Sequence, residues 1–276
     1  MAGPVQCATA EIRSTYLITD DGVRLHVLEA GPRGAPAAAP VIAFVPGWSM
    51  PAAIWRAQLA ALGSRHRVAA LDPRGQGGSE VPAGGYEIER RAADIGALVA
   101  RYPRAVLVGW SLGALEALHY VHRAGEDALA ALVLVDTSVG EEPAPPPGAS
   151  FIEALKNDRR TALEGFVRGM FRTARPEAEI AALMQAAERM PLEASLSLFP
   201  SALPRAHWRQ IVRNFRKPLL YVVTAQFAEQ AENLRRNRPA TRVEVFQQAG
   251  HALFVDEVER FNRVLARFVE EAAAVR

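Results

Sequence analysis

Short apolar runs recur along the chain, separated by stretches whose apolar positions fall every three or four residues. Residues 41–45, 68–71, 105–108, 131–135, 219–224 and 243–246 are rich in β-branched side chains and too short for helices, so they read as strands buried on both faces. Between them Ile88, Ala92, Ile95, Leu98 and Val99 recur at helical spacing, and residues 54–62, 114–121 and 258–270 carry the same one-sided pattern. Alternating buried strands and amphipathic helices imply a parallel sheet covered by helices. A hairpin precedes it: 15–19 and 23–29 flank Asp20-Asp21-Gly22, where Asp-Gly tolerates the positive φ of a tight turn. A Pro/Ala/Gly-rich loop at 31–40 leads from the hairpin to the first parallel strand.

The rhythm stops after Val139. The run Gly140-Glu141-Glu142-Pro143-Ala144-Pro145-Pro146-Pro147-Gly148 can neither continue a helix nor pair inside a sheet, because its prolines lack the donors that either requires. Residues 151–156, 161–171 and 176–189 then read as helices, with no convincing strand before 219. The expected organisation is an α/β core, 1–139 and 206–276, interrupted by a helical cap at 140–205. No internal repeat is visible.

Composition narrows the classes of function. Half of the 276 residues are apolar, enough for one large core, and the formal charge is only +2. The arginines are scattered rather than gathered in a stripe, so no nucleic-acid partner is expected. Arg235, Arg236 and Arg238 form the densest basic cluster and read as a solvated helix face. The single cysteine, Cys7, cannot form an internal disulfide. No basic and then apolar leader opens the sequence and no apolar run is long enough to span a membrane, so the expectation is a soluble, cytoplasmic protein. Its oligomeric state leaves no mark on the pattern.

The chemistry centres on Gly109-Trp110-Ser111-Leu112-Gly113, which has strand 105–108 before it and helix 114–121 after it. A serine on so sharp a strand-to-helix turn is presented to substrate in a strained conformation, and the flanking glycines let neighbouring backbone pass. Three further segments follow strands in the same manner: Phe44-Val45-Pro46-Gly47-Trp48, Leu71-Asp72-Pro73-Arg74-Gly75-Gln76-Gly77-Gly78-Ser79 and Ala249-Gly250-His251.

In this order the four segments resemble the α/β-hydrolase superfamily, in its serine-nucleophile branch with a short helical cap, over nearly the whole chain from Asp21 to Phe268. The resemblance implies an α/β-hydrolase fold, with a mostly parallel central sheet flanked by helices. It also implies Ser111 as nucleophile, His251 as base, and the backbone N–H groups of Trp48 and Leu112 as the oxyanion hole. No metal or organic cofactor is implied. The Trp48 indole is expected in the pocket wall, or else in plain core. His26, His66, His119, His122 and His207 lack comparable context and read as packing or surface residues. Asp72, Arg74, Gly75 and Ser79 resemble a structural motif that braces loops, while Asp256 and Glu257 are expected to cap the last helix.

Two departures from the family pattern matter. Pro46 stands where relatives usually have histidine. The Gly-x-x-Asp loop usual after the penultimate strand is replaced by a shorter Tyr221-Val222-Val223-Thr224-Ala225-Gln226-Phe227, without its aspartate. A catalytic histidine needs a carboxylate on its far nitrogen to set its tautomer. Asp136, directly after strand 131–135, is where some members carry a relocated acid; Glu229, Glu232 and an incomplete triad are the alternatives.

A serine nucleophile argues against haloalkane dehalogenase and epoxide hydrolase chemistry, both of which would require a carboxylate. The expected activity is hydrolysis of carboxylic esters through an acyl-enzyme intermediate, on small to medium hydrophobic substrates. Perhydrolase or haloperoxidase, lactonase and acyltransferase activities are the alternatives within the fold, and a non-catalytic ligand-binding module is the alternative outside enzymes. Phe166, Met170, Phe171, Leu183, Met184, Leu196, Leu198 and Phe199 are the expected apolar supply for an acyl pocket or for the cap's own core.

Overall fold

A computed structural model of the chain describes residues 10–32, 39–102, 104–145, 149–199 and 203–274. Eight strands form one sheet: β1 (Arg13–Ile18), β2 (Arg24–Ala30), β3 (Val41–Val45), β4 (Arg67–Leu71), β5 (Ala105–Trp110), β6 (Leu129–Val135), β7 (Leu219–Thr224) and β8 (Thr241–Phe246). Their order is β1-β2-β4-β3-β5-β6-β7-β8. β2 runs antiparallel to both of its neighbours, and all pairs from β4 to β8 are parallel.

The helices are α1 (Arg56–Leu62), α2 (Ile88–Arg101), α3 (Leu112–Ala124), α4 (Ala149–Asn157), α5 (Arg159–Gly169), α6 (Glu177–Glu188), α7 (Leu192–Ser197), α8 (Arg205–Asn214), α9 (Ala228–Asn237), α10 (Leu253–Asp256) and α11 (Val258–Ala274). The helix expected at 54–62 begins instead as a tight turn at Ala52–Trp55, whose first N–H donates to the Asp72 carboxylate. Four helices, α4 to α7, occupy the interval between the proline-rich run and α8. Residues 33–38, 146–148 and Cys7, which fall within the expected loop, linker and N-terminal segment, lie outside the described residues.

Strand side chains alternate between two cores, as the period of two requires. Phe44, Val106, Val108, Val133 and Val222 face Leu59 of α1 and Phe261 and Leu265 of α11. Val45, Leu107, Leu134, Tyr221 and Val223 face Leu98 of α2, Leu118 of α3, Trp208 of α8 and Leu234 of α9. Every residue of β3, β5 and β7 is buried. Each fully buried aliphatic side chain contributes roughly 1.5–3 kcal/mol, so the centre of the sheet is a rigid platform. The C-terminal ends of its strands are where an open α/β sheet places ligands, and Pro46, Ser111, Asp136 and Thr224 all stand there.

Among the described residues no helix is long and apolar enough to cross a membrane.

Candidate active site

Ser111 leaves β5 with φ 55° and ψ −120°, a conformation that costs a non-glycine residue about 1–3 kcal/mol. The surroundings hold it there. Its N–H donates to Val135 O at 2.9 Å, extending the β5–β6 ladder by one bond, and its carbonyl accepts the Ala114 N–H at 3.0 Å. A Cβ on Gly109 would stand 2.5 Å from Gly113 O, and one on Gly113 would stand 2.7 Å from Val45 O and closer still to Pro46 O. Both glycines are therefore dictated by the close passage of α3 over the ends of β3 and β5. A Cβ on Gly47 would lie 3.1 Å from Ser111 Cβ, so the loop after β3 sits against the serine.

His251 is tied to the same turn through its neighbour. The Trp110 indole donates to His251 O at 2.9 Å, and the two rings lie 5.1 Å apart. The imidazole is partly exposed while Asp136 is 1 % exposed, and His251 Nδ1 meets Asp136 Oδ2 at 2.7 Å. The other carboxylate oxygen, Oδ1, accepts from the Thr224 N–H at 2.7 Å and from its hydroxyl at 2.8 Å. An ionised carboxylate accepts only, so in the neutral imidazole the Nδ1 proton faces Asp136 and Nε2 is the nitrogen with the open lone pair. Beneath the pair, burial first and the Asp136 charge second hold the Tyr221 phenol well above its ordinary range. It stays protonated and donates to Thr137 O. Ser111 Oγ makes no hydrogen bond with a described residue; such contacts commonly tighten only when substrate is bound. The imidazole lines a cavity of about 440 Å³ with Phe171, Arg172, Thr224, Gln226 and Ala249.

Glu229 is exposed, and Glu232 pairs with Arg235 at 3.0 Å; neither meets His251. Thr224 was not foreseen as a partner, because a threonine ending an apolar strand is an ordinary strand residue. The expected cap on the last helix is corrected for Asp256. Its carboxylate instead accepts from Gly250 N at 2.7 Å, Arg172 N at 2.9 Å and Thr173 N at 3.0 Å, stitching the His251 loop to the segment after α5. Burial raises its pKa, but the Thr173 hydroxyl and these backbone donors outweigh burial and leave it below the ordinary value.

Trp48 is buried, and its indole N–H donates to Ser195 O on α7 at 2.7 Å. Phe199 stacks on the ring at 5.3 Å, while Phe151 and Phe166 meet it edge-on at 5.4 and 5.2 Å. Of the expected acyl-pocket residues, Phe166 and Phe199 thus reach the loop after β3. Met170, Leu183, Met184 and Leu198 are buried, and Phe171 and Leu196 pack at the edge of that core. The backbone N–H groups of Trp48 and Leu112 have no acceptor among the described residues.

Asp72 accepts from Gly78 N and from His26 Nδ1, and Arg74 forks onto Asp94, as expected of braces. Arg238 corrects the reading of the basic cluster: it is buried at the end of α9, where it donates to Phe215 O and Lys217 O, whereas Arg235 and Arg236 are exposed. A helix end and a strand entry with unpaired carbonyls explain why a cation is drawn inward there. Among the described residues no group of three or more His, Cys, Asp or Glu side chains is arranged to hold a metal ion.

The model of the family described as "Alpha/beta hydrolase family" matches residues 42–264, a span that includes every segment above from Pro46 to His251. The chain belongs to that family. This hydrolase is 29% identical over 252 residues to the pimeloyl-[acyl-carrier protein] methyl ester esterase of Vibrio atlanticus (strain LGP32), covering 84% of this chain and 95% of that protein. It is 38% identical over 123 residues to the bifunctional esterase/perhydrolase of Acinetobacter calcoaceticus, a match spanning 44% of this chain and 43% of that protein. Among solved structures, an esterase from Exiguobacterium antarcticum superposes with a TM-score of 0.81 at 24% identity, covering 94% of this chain and 100% of that one, a likeness of fold.

Proposed function

We propose that this hydrolase is a serine-dependent carboxylic-ester hydrolase, with Ser111, His251 and Asp136 as its triad. The observation that carries the reading is the 2.7 Å contact between His251 Nδ1 and an Asp136 carboxylate whose other oxygen is already committed to Thr224. Ser111 Oγ attacks the ester carbonyl while His251 Nε2 takes its proton, and the tetrahedral oxyanion is held by the Trp48 and Leu112 N–H groups. The C–O bond to the alcohol then breaks and His251 returns the proton to the leaving alcohol. In the second half-reaction His251 deprotonates water, which attacks the acyl-enzyme and releases the acid and free Ser111.

Residues 140–205 act as the cap. The aromatic enclosure of Trp48 by Phe151, Phe166 and Phe199 supports hydrophobic acyl groups of small to medium size, and the chemistry needs no cofactor. The similarity to an esterase/perhydrolase favours a second reading, in which hydrogen peroxide replaces water in deacylation and the product is a peracid.

A fluorophosphonate probe and chromogenic esters test both. The parent is expected to label and to hydrolyse, and Ser111→Ala to do neither. A parent that never labels would sink the triad and favour a non-catalytic ligand-binding module. Peroxide-dependent bromination exceeding ester hydrolysis would favour the second reading.

A further inference from the structure

Pro46 has no side-chain donor, so whatever orients the loop after β3 must come from elsewhere. The loop's carbonyls are met from beneath by Gln76, which is fully buried. Its Nε2 donates to Met50 O at 2.6 Å and reaches Gly47 O at 3.4 Å, where the Met50 N–H also donates at 3.2 Å. Gly47 C=O and Trp48 N–H are the two ends of one planar trans peptide and point in opposite directions. A donor fixed on the carbonyl therefore aims the N–H away from itself and also polarises it into a stronger donor.

The orientation of the Gln76 amide is itself determined. Oε1 accepts from both terminal nitrogens of Arg91 at 3.1 Å, and a guanidinium only donates, so Nε2 must face the loop. Arg91, 1 % exposed, pairs with Glu116 at 2.9 Å, and Glu116 lies one turn beyond Leu112 on α3. A single buried chain, Glu116–Arg91–Gln76–Gly47, thus links the helix that begins at Leu112 to the peptide that presents the Trp48 N–H.

We propose that Gln76 is a positioning residue for the oxyanion hole, holding the Gly47–Trp48 peptide so that the Trp48 N–H faces the developing oxyanion; this rests on Ser111 being the nucleophile. Two variants and one inhibitor test it. Gln76→Met removes the donor and the acceptor, and Gln76→Glu removes the donor while keeping an acceptor for Arg91. Each is expected to lower kcat by on the order of 10- to 100-fold, the size of effect that follows a small misplacement of a catalytic group, with KM within about twofold of the parent. Affinity for an aryl trifluoromethyl ketone, whose serine adduct carries the oxyanion, is expected to fall by the same factor. A merely structural brace would lower the melting temperature and leave kcat and the ketone affinity untouched. Arg91→Lys, which keeps the charge opposite Glu116 but not the fork on Oε1, is expected to give a smaller loss of the same kind, and it carries the test should neither variant at position 76 fold. Unchanged kcat and ketone affinity in a folded variant would overturn the proposal. A parent that neither hydrolyses esters nor labels overturns the hydrolase reading first, and this inference with it.

Discussion

Asp136 divides its carboxylate between two partners, and each half depends on the other. Thr224 occupies Oδ1 with an N–H and a hydroxyl, which fixes the plane of the group and turns Oδ2 toward His251. In Asp136→Asn the amide oxygen can keep Thr224, but an NH₂ then faces Nδ1 and forces the wrong tautomer on the imidazole. Turnover is expected to fall by about 10⁴, as when the acid of a serine protease triad becomes its amide, while Glu229→Gln stays within about twofold. Steady-state ester hydrolysis measures both, and full activity in Asp136→Asn would overturn its proposed role as the acid. Asp136 was legible as a candidate from its place after strand 131–135, where the family resemblance puts a relocated acid in some members. The roles of Thr224 and Asp256 were not, since the contacts that define them reach Asp136 and Arg172, 88 and 84 residues away in the sequence.

At the scale of elements, α3 both presents Ser111 and packs on α8 through a cluster of histidines. His119 Nδ1 lies 3.2 Å from His207 Nε2, and the His122 ring is 4.8 Å from that of His207. Burial first, and neighbouring histidine charge after it, lowers both His119 and His207; Arg123 adds to this on His119, while Glu89 opposes it at both. The sign follows directly. Below the ordinary histidine value of 6.5 the unfolded chain takes up protons that the folded one refuses, so stability is lost as pH falls from there toward the lowered folded values. His119→Asn is expected to reduce the drop in melting temperature between about pH 7.5 and 5.5 by on the order of 2 °C. Thermal denaturation at the two pH values checks it, and an undiminished drop would assign the acid sensitivity elsewhere. Amphipathic spacing made α3 readable in advance. The cluster was not, because α8 supplies its third ring from beyond helices α4 to α7.

For the whole molecule, strand and helix alternation foretold the layers, but the order of strands could not be read from one sequence. The exchange that puts β4 between β2 and β3 is a matter of pairing partners, not of pattern. That helices follow the proline run was legible from the loss of strand signal; their contacts with the rest of the molecule were not. On the proposed reading those contacts set specificity. Phe166→Ala opens space beside Trp48, and each methylene newly buried there contributes about 0.8 kcal/mol. The preferred acyl chain is therefore expected to lengthen by about two carbons, with kcat/KM for the longer ester rising on the order of 10-fold. A chain-length series with chromogenic esters reads this out, and an unmoved optimum would place the acyl group elsewhere. The bond from the Trp48 indole to Ser195 carries one more consequence. In the proposed site the same residue presents its peptide N–H to the reaction and its ring to Phe151, Phe166 and Phe199, so selection on substrate range and selection on rate would act on one codon. A change at Trp48 that breaks the indole bond to Ser195 is expected to shift specificity and turnover together, whereas changes at Phe151, Phe166 and Phe199 are expected to shift specificity with turnover kept, the open route for adaptation to new esters on the proposed reading.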